Sequence, residues 1–288
     1  MAISPVRVVC VTYNSGNELH EFARSLRTAA VAGVELVLVD NGADHTVPEQ
    51  VALEHQGRLV VPARNLGYGG GANLGARGAT GQWLVVSNPD VVWRPGSLDL
   101  LLAAAQRHPR AGAFGPALYT PEGELYPSAR ALPSLGLGIG HALLGRTWPG
   151  NPWSRAYLGG GWGRTRRADG ERSVGWLSGA CLLLRREAFE QVGGFDEGYF
   201  MFFEDLDLGA RLGRAGWESV YVPAARITHV GGVSWRDRPA AMIAEHHASA
   251  DRYVTGRYPH GYQRPLRAVL RLGLRARRRV ALRAADGD

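Results

Sequence analysis

Apolar runs alternate with amphipathic segments over the first hundred residues of the chain. Runs bounded by turn residues predict β-strands over residues 6–11, 34–39, 58–61 and 83–87. After the first run, Leu19, Phe22, Ala23 and Leu26 recur at helical spacing, and another helix is predicted to start near Ser97. The strands are apolar on both faces, which is typical of a parallel sheet covered by helices on both sides. The pattern predicts an α/β fold whose mostly parallel, twisted sheet is flanked by helices.

The remaining chain is less regular. A glycine-rich segment, 65–75, leads into a predicted short helix over 72–79, and order fades between residues 119 and 173. A second ordered block predicts strands within 174–185, 217–223 and 226–229, and helices over 187–192, 205–215 and 239–258. The sequence therefore divides into 1–118, 119–173, 174–258 and 259–288, the last a basic helical extension.

Polar residues follow the predicted strands where each of them ends. Asn14 and Asp40 follow the first two, and Asp90 follows the fourth. Because parallel sheets bind ligands beyond the carboxyl ends of their strands, these residues predict a site at one rim. Asp90 suits a hard cation such as Mg²⁺ or Mn²⁺ there, and a plain turn role after proline is the alternative. His229 is a candidate further ligand, against a purely structural histidine.

Acidic residues cluster directly after the aromatic run at 199–203. Asp205 shares a predicted helix face with the apolar residues at 208 and 212, so we expect it to point inward, where burial raises the proton affinity of a carboxylate. Asp207 aligns with Arg211 four residues later, which predicts an exposed ion pair. Asp205 is therefore the candidate general base. The alternative is that Glu204, Asp205 and Asp207 only favour the helix dipole.

Composition and absent motifs narrow the function classes. The chain has no lysine, which excludes a P-loop nucleotidase, and it lacks both the dinucleotide-binding glycine pattern and the G-x-S-x-G elbow of hydrolases. Cys10 and Cys181 lie among apolar residues and are interpreted as buried thiols. No leader opens the chain, which argues against secretion, and no run approaches the roughly 20 apolar residues of a membrane span.

The formal net charge of +7 is concentrated near the C-terminus. A basic tail of this kind binds either an anionic membrane surface or nucleic acid, and a solvated or disordered tail is the third interpretation. The arginines concerned are Arg264, Arg267, Arg271, Arg275, Arg277, Arg278, Arg279 and Arg283.

Taken together, the motifs resemble the GT-A glycosyltransferases of family 2. The matching segments are 11–14 (VTYN), 39–41 (VDN), 64–67 (RNLG), 88–90 (NPD), 193–196 (GGFD) and Glu204–Asp205, in the family's order. The resemblance implies inverting transfer from a nucleotide-sugar, with Asp205 as base, Asp90 and His229 as metal ligands, and Glu204, Trp176, Ser178 and Gly179 supporting the acceptor. It further implies that the nucleotide-sugar is bound by Thr12, Tyr13, Asn14, Asp40, Asn41, Arg64, Asn65, Gly67, Asn73 and Asn88. One departure from the family's Asp-x-Asp metal motif is that Asn88 replaces its first aspartate.

Three segments, 126–130 (YPSAR), 151–153 (NPW) and 174–179 (VGWLSG), resemble the actinobacterial WbbL group of rhamnosyltransferases within that family. This implies a dTDP-L-rhamnose donor, a divalent metal (Mg or Mn) and a GlcNAc acceptor on a polyprenyl diphosphate, in synthesis of the arabinogalactan linker of the cell wall. Residues 1–118 become the nucleotide-sugar-binding half, 119–173 a variable acceptor or membrane-proximal region, and 174–258 the acceptor and catalytic half of the same domain.

The implied location is cytoplasmic, peripheral on the inner face of the plasma membrane, with the basic tail (259–288) on anionic lipid. Trp148, Trp153 and Trp162 are expected at that interface or over the acceptor. Alternatives are another donor (UDP-GlcNAc or UDP-galactose) or acceptor, a catalytically inactive scaffold, and nucleic-acid binding through the tail. The last is disfavoured because it leaves the acidic rim unexplained.

Overall fold

The computed structural model describes residues 6–133, 170–231 and 239–285. Trp148, Trp153, Trp162 and the segment 151–153 lie outside the described residues. The first half contains β1 (Val6–Thr12), α1 (Asn17–Ala29), β2 (Val34–Asp40), α2 (Thr46–Glu54), β3 (Arg58–Val60), α3 (Gly67–Ala76), β4 (Trp83–Ser87), β5 (Val91–Trp93), α4 (Ser97–Arg107) and β6 (Ala111–Tyr119).

The second half begins with the short strands β7 (Leu125–Tyr126), β8 (Ala129–Arg130), β9 (Arg172–Val174) and β10 (Trp176–Leu177). It continues with β11 (Cys181–Arg185), α5 (Arg186–Gln191), α6 (Glu204–Arg214), β12 (Glu218–His229), α7 (Pro239–Arg257), a 3₁₀ turn (Gly261–Gln263) and α8 (Arg264–Ala285).

The main sheet has the order β3-β2-β1-β4-β11-β6-β12-β5, with β7 pairing beside β6 and β9 beside β12. Strands β1, β2, β3, β4, β6 and β12 run in one direction, while β11 and β5 run in the other. The sheet is therefore mixed and mostly parallel, as the sequence predicted. Strands β8 and β10 form a separate antiparallel pair.

The helices cover both faces of the sheet with apolar side chains. On one face, α1, α2 and α4 bury residues such as Phe22, Val51 and Leu101 against the strands. On the other, α3, α5 and α6 bury residues such as Phe189 and Leu212. Burial of both sheet faces explains why the strands are continuous apolar runs rather than alternating ones. It also holds the carboxyl ends of β1, β2, β4 and β12 at one rim.

Several predicted elements differ from the structure. Helix α3 begins at Gly67, so the predicted helix over 72–79 was placed too late. Glycine is needed inside it because a Cβ at Gly75 would overlap Val9 of β1. Strands β5 and β6 were not predicted, and the two predicted strands near the end of the sheet form one strand, β12, with a register shift between Val222 and Arg226. Cys10 and Cys181 are free and buried, as expected.

The chain ends in a helical hairpin formed by α7 and α8. Asp251 of α7 forms a bidentate ion pair with Arg271 of α8. Helix α7 in turn contacts the aromatic run that precedes α6, where the Ser249 hydroxyl donates to the Met201 carbonyl at 2.8 Å. None of the helices in the described ranges is long and apolar enough to cross a membrane.

Candidate functional site

The paired ends of β1 and β2 hold a buried carboxylate at the rim. Thr12 lies opposite Asp40 in the parallel register, and its hydroxyl donates to Asp40 Oδ1 at 2.8 Å. The Gly42 N–H donates to the same oxygen at 3.1 Å, and His45 Nδ1 lies 2.6 Å from Oδ2. Asp40 is therefore fixed in orientation by its neighbours. His45 was not predicted as a site residue, because a turn separates it from the strand and it matches no motif.

The predicted nucleotide-binding residues divide into two groups. Asn41 accepts a hydrogen bond from the Leu66 N–H at 3.0 Å and donates to the Gly67 carbonyl at 3.1 Å, and Asn65 Oδ1 accepts from the Gly67 N–H at 2.8 Å. These amides build the loop that starts α3. Arg64 and Asn14 instead are exposed at the rim, and Tyr13 is partly buried beside them.

Asn73 joins the two halves of the chain. Its Nδ2 donates to the Phe195 carbonyl at 2.9 Å, and its Oδ1 accepts from the Phe195 N–H at 2.9 Å. The 193–196 turn is thereby fixed to α3. The structure thus gives Asn73 a positioning contact, and no described contact brings it to the other rim residues.

Asp90, His229 and Asn88 meet where β5 runs beside the end of β12. Asp90 Oδ1 is 3.2 Å from His229 Nε2, and Asn88 Nδ2 is 3.3 Å from the same nitrogen. The Gly231 N–H donates to Asp90 Oδ2 at 3.0 Å. Asp90 Oδ1 is buried and has no hydrogen-bond partner among the described residues.

An oriented, buried carboxylate oxygen beside an imidazole nitrogen fits a divalent cation. Among the described residues, no group of three or more His, Cys, Asp or Glu side chains forms a metal cluster. Two protein ligands are nevertheless enough for Mg²⁺, which keeps several waters or substrate phosphate oxygens in its coordination sphere. Asn88 lacks the charge of a second carboxylate, so the pair remains Asp90 and His229.

The acidic cluster at the start of α6 contains two carboxyls in different environments. Asp205 is partly buried, and its Oδ2 and Oδ1 accept from the N–H groups of Gly179 at 2.9 Å and Leu206 at 2.7 Å. Glu204 is more deeply buried, and its Oε2 has no hydrogen-bond partner in the described chain. The predicted inward orientation of Asp205 is confirmed, but Glu204 is the more buried acid.

Burial separates the proton affinities of these two groups. Desolvation, followed by the charge of Asp205, raises the pKa of Glu204 to about 8. Desolvation also raises the pKa of Asp205 above its ordinary value, while the Gly179 and Leu206 N–H groups and the charge of Arg130 oppose this rise. The Asp205 carboxylate accepts two backbone N–H donors, which stabilise its anion, whereas burial dominates at Glu204. Glu204 therefore keeps its proton near neutral pH, and the Gly179 and Leu206 donors favour the anionic form of Asp205.

The backbone before these acids is held in an unusual conformation. Phe202 and Phe203 both have φ of 67°, in the left-handed region that non-glycine residues rarely adopt. Gly67, with φ of 71°, lies against this segment, and a Cβ there would overlap the Phe200 carbonyl oxygen. The Tyr68 N–H donates to that oxygen at 3.0 Å. The first residues of α3 therefore pack against the strained segment that leads to Glu204 and Asp205.

Tyr68 contacts Asp205 indirectly, through Gly179. Its hydroxyl donates to the Gly179 carbonyl oxygen in a short hydrogen bond, and the N–H of the same Gly179 holds Asp205. Ser178 is fixed nearby, since its N–H donates to the Ser128 carbonyl at 2.7 Å. Trp176 lies on β10 and donates from Nε1 to the Ala131 carbonyl at 3.2 Å. Tyr68 was not predicted as a site residue because its neighbours are glycines.

Asp207 forms the predicted ion pair with Arg211, at 2.6 Å. The expectation that this pair is exposed was wrong, because the Asp207 and Arg211 side chains are only 15% and 20% exposed. Arg211 also donates to the carbonyls of Val192 and Gly194, at 2.7 and 2.6 Å. It therefore fixes the glycine turn against α6 rather than facing solvent.

The rim thus combines polar groups at the ends of β1 and β2, the candidate metal ligands Asp90 and His229, and the Asp205 carboxyl beside the protonated Glu204. A carboxylate held this way can accept a proton from a hydroxyl group. A divalent cation held by Asp90 and His229 would stabilise a departing diphosphate. These are the requirements for glycosyl transfer from a nucleotide-sugar.

Comparisons with known proteins agree with this chemistry. The family description "Glycosyltransferase like family 2" matches residues 4–248. The chain is 46% identical to the N-acetylglucosaminyl-diphospho-decaprenol L-rhamnosyltransferase of Mycobacterium tuberculosis, over 96% of this chain and 93% of that protein. It is 26% identical to the rhamnosyltransferase WbbL of Escherichia coli K12, over 76% of this chain and 81% of that protein.

A solved mannosyltransferase from Pyrobaculum calidifontis, in complex with GDP-Man and Mn²⁺, has the same fold. It superposes with a TM-score of 0.61 at 17% identity and covers 98% of this chain and 73% of its own. The fold is thus GT-A-like, as predicted. Because the family description covers most of the chain and the M. tuberculosis relative matches nearly all of it, the chain belongs to the family 2 glycosyltransferases and is a glycosyltransferase.

Proposed function

We propose that the enzyme transfers L-rhamnose from dTDP-L-rhamnose to a GlcNAc residue linked through a diphosphate to a polyprenol. The observation that carries this proposal is the 46% identity to the M. tuberculosis enzyme of that acceptor class over nearly the whole of both chains. The 126–130 and 174–179 motifs pair through β8 and β10, and the second of them holds Asp205 through the Gly179 N–H, which supports the proposal. The product would belong to the arabinogalactan linker.

In the proposed reaction, Asp205 takes the proton from the acceptor hydroxyl while that oxygen attacks the anomeric carbon of rhamnose. The new C–O bond forms on the face opposite to the bond that breaks, so the anomeric configuration inverts, and the electron pair of the broken bond leaves with dTDP. Because the Gly179 N–H fixes Asp205 Oδ2, the base is oriented before the acceptor binds. Glu204 stays protonated, which avoids a second negative charge beside the base.

Asp90 and His229 are the residues that would hold a divalent metal, Mg²⁺ or Mn²⁺. The metal would neutralise charge on the leaving diphosphate. The buried Asp90 Oδ1, which accepts no hydrogen bond from the described residues and lies 3.2 Å from His229 Nε2, supports this assignment. Thr12, Asp40 and the exposed Arg64 would line the nucleotide pocket at the adjoining strand ends.

The experiment that tests this function is a donor panel with purified enzyme, Mg²⁺ or Mn²⁺ and a short-chain GlcNAc-diphospho-polyprenol. We expect release of dTDP from dTDP-L-rhamnose together with a rhamnosylated product of inverted configuration. Turnover of UDP-GlcNAc or UDP-galactose without any turnover of dTDP-rhamnose would reject the rhamnosyl assignment and leave another family 2 reaction. Absence of transfer from every donor would favour the inactive scaffold.

We further propose that α8 attaches the enzyme to the anionic inner surface of the plasma membrane, where a polyprenyl-linked acceptor resides. Val269, Leu272 and Val280 lie on its outer face and are 69%, 68% and 62% exposed. Arg275 and Arg279 are exposed on the flank of this apolar stripe. An apolar stripe bordered by arginines is the pattern of a helix lying in a membrane interface. Nucleic-acid binding is disfavoured because phosphate contacts require the arginines but not the apolar stripe.

Vesicle sedimentation tests this attachment. Wild-type enzyme should sediment with vesicles containing anionic phospholipid and remain in the supernatant with neutral vesicles. Leu272→Asp should reduce sedimentation at least tenfold, whereas Val31→Asp, a change of an exposed residue 97% accessible and distant in sequence from α8, should not. Equal sedimentation of both variants, or salt-sensitive binding to DNA instead of vesicles, would contradict the proposal.

A further inference from the structure

A cationic side chain next to Asp205 is not used by the chemistry above. Arg130 ends β8 and lies opposite Trp176 of β10 in the antiparallel pair. The residues that continue from β10 include Gly179, whose N–H donates to Asp205. Arg130 is near enough for its charge to lower the proton affinity of Asp205. The small β8–β10 sheet therefore fixes a positive charge beside the proposed base.

Two aromatic rings hold the Arg130 guanidinium in place. Its Cζ lies 5.3 Å from the ring centre of Trp176 and 5.9 Å from that of Tyr126. Its Nε donates to the Pro127 carbonyl at 2.9 Å, which fixes the plane of the group. Within the described ranges no carboxylate pairs with Arg130, and its Nη atoms make no hydrogen bond. The guanidinium is thus oriented, and its two terminal nitrogens have no described partner.

The same aromatic pair links Arg130 to the candidate metal site. The Tyr126 ring contacts His229 edge to face, with 6.4 Å between ring centres. Arg130 therefore acts electrostatically on Asp205 and is linked to His229 through the Tyr126 ring. An arginine fork held by aromatic faces is suited to bidentate binding of phosphate oxygens. The position of Arg130 suits a ligand that extends from Asp205 toward His229.

We propose that Arg130 binds a diphosphate group, and that its place near Asp205 points to the diphosphate of the lipid-linked acceptor. This inference rests on the proposed function, because Asp205 is taken as the group that contacts the acceptor. The donor also carries a diphosphate, so the two sources have to be separated by experiment. In either case Arg130 recognises a doubly charged phosphate ester rather than a sugar.

Arg130→Gln tests the proposal because it removes the charge and the guanidinium fork and keeps a polar side chain with N–H donors. The first measurement is the Kd of short-chain GlcNAc-diphospho-polyprenol and of dTDP, by calorimetry with Mn²⁺ present. Loss of charge-assisted hydrogen bonds predicts an acceptor affinity about 10- to 100-fold weaker. The affinity for dTDP and for a neutral alkyl glycoside of GlcNAc should stay unchanged. Arg172→Gln is the matched control, since Arg172 also stacks on a ring, at 4.4 Å from Tyr221.

The outcomes separate the two sources and the two proposals. Weaker binding of dTDP alone would keep the diphosphate chemistry but assign it to the donor. Unchanged affinity for both diphosphates in a variant with wild-type thermal unfolding would overturn the inference. Because binding is measured without turnover, failure of rhamnose transfer in the wild-type enzyme would reject the proposed function and leave the Arg130 result interpretable.

Discussion

The buried acid beside the proposed base has a consequence for stability. Glu204 has an ordinary pKa of 4.5 and a pKa of about 8 in the folded chain. In unfolded protein the carboxyl ionises above pH 4.5, whereas the folded protein keeps its proton until the pH passes about 8. The stabilising contribution of the protonated carboxyl is thus complete below pH 4.5 and is lost as the pH rises through about 8.

The pKa difference gives the size of the effect. Each pH unit corresponds to about 1.4 kcal/mol, so a rise from 4.5 to about 8 amounts to about 5 kcal/mol. Glu204→Gln removes the titration and keeps the shape of the side chain. The variant should therefore gain several kcal/mol of unfolding free energy relative to wild type between pH 5 and pH 8. Burial of the new amide also changes the unfolding free energy, but by the same amount at every pH.

Urea unfolding at pH 5, 6, 7 and 8 measures this difference. Glu190→Gln is the control, since Glu190 is exposed in an ion pair with Arg186, and its difference from wild type should stay within about 1 kcal/mol at every pH. A Glu204→Gln offset that is the same at pH 5 and pH 8 would refute the reasoning. It would mean that Glu204 ionises in the folded protein as it does in the unfolded chain.

Three further changes test other parts of the site. Asp90→Asn should weaken Mn²⁺-dependent dTDP binding at least tenfold in calorimetry, and equal affinity with and without Mn²⁺ in the wild type would remove Asp90 from a metal site. Tyr68→Phe removes the hydrogen bond to the Gly179 carbonyl, so we expect kcat to fall about tenfold and the acid limb of the kcat–pH profile to move to higher pH. An unmoved profile would count against a role of Tyr68 in positioning Asp205. Gly67→Ala should lower the unfolding free energy, measured in urea, by about 3 kcal/mol or more, because the new Cβ clashes with Phe200 and the residue has a positive φ. Gly78→Ala is the control, since Gly78 has a similar φ of 70° but open space around it, and it should cost only about 1 kcal/mol.

The parallel part of the sheet could be predicted because its strands are buried on both faces. Their apolar runs are unbroken, and polar residues such as Asp40 and Asp90 stand just beyond them. The same sequence signal predicts a ligand site at that rim. The Asp207–Arg211 pair followed from helical spacing alone, since residues four apart on a helix are neighbours.

Strand β6 could not be predicted because its composition reflects what packs on it. Gly115 faces Leu177, where a Cβ would lie 2.7 Å from the Leu177 Cδ2, and a Cβ at Gly112 would lie 2.8 Å from Ala188. Small residues are required by neighbours that are remote in sequence. A local pattern of alanine, glycine and proline therefore gave no strand signal, although β6 lies inside the sheet.

The side chains that position the site were not predicted for a similar reason. Tyr68 lies in a glycine run and Arg130 in an irregular region, so neither stands out by spacing. Their significance depends on Gly179 and Trp176, which approach them only after the chain has folded. Glu204 was identified, but its greater burial than Asp205 depends on packing around α6 that no helical pattern specifies.

Asp205→Asn tests the central claim most directly, in an assay that follows rhamnose transfer from dTDP-L-rhamnose to GlcNAc-diphospho-polyprenol. Removing a general base should lower kcat by about 10²- to 10⁴-fold. Binding of dTDP should stay close to that of wild type, and the unfolding midpoint should fall only slightly, because the Gly179 N–H can still donate to the amide oxygen while the Leu206 N–H loses its side-chain acceptor. Turnover within a factor of three of wild type would contradict the assignment of Asp205 as the base.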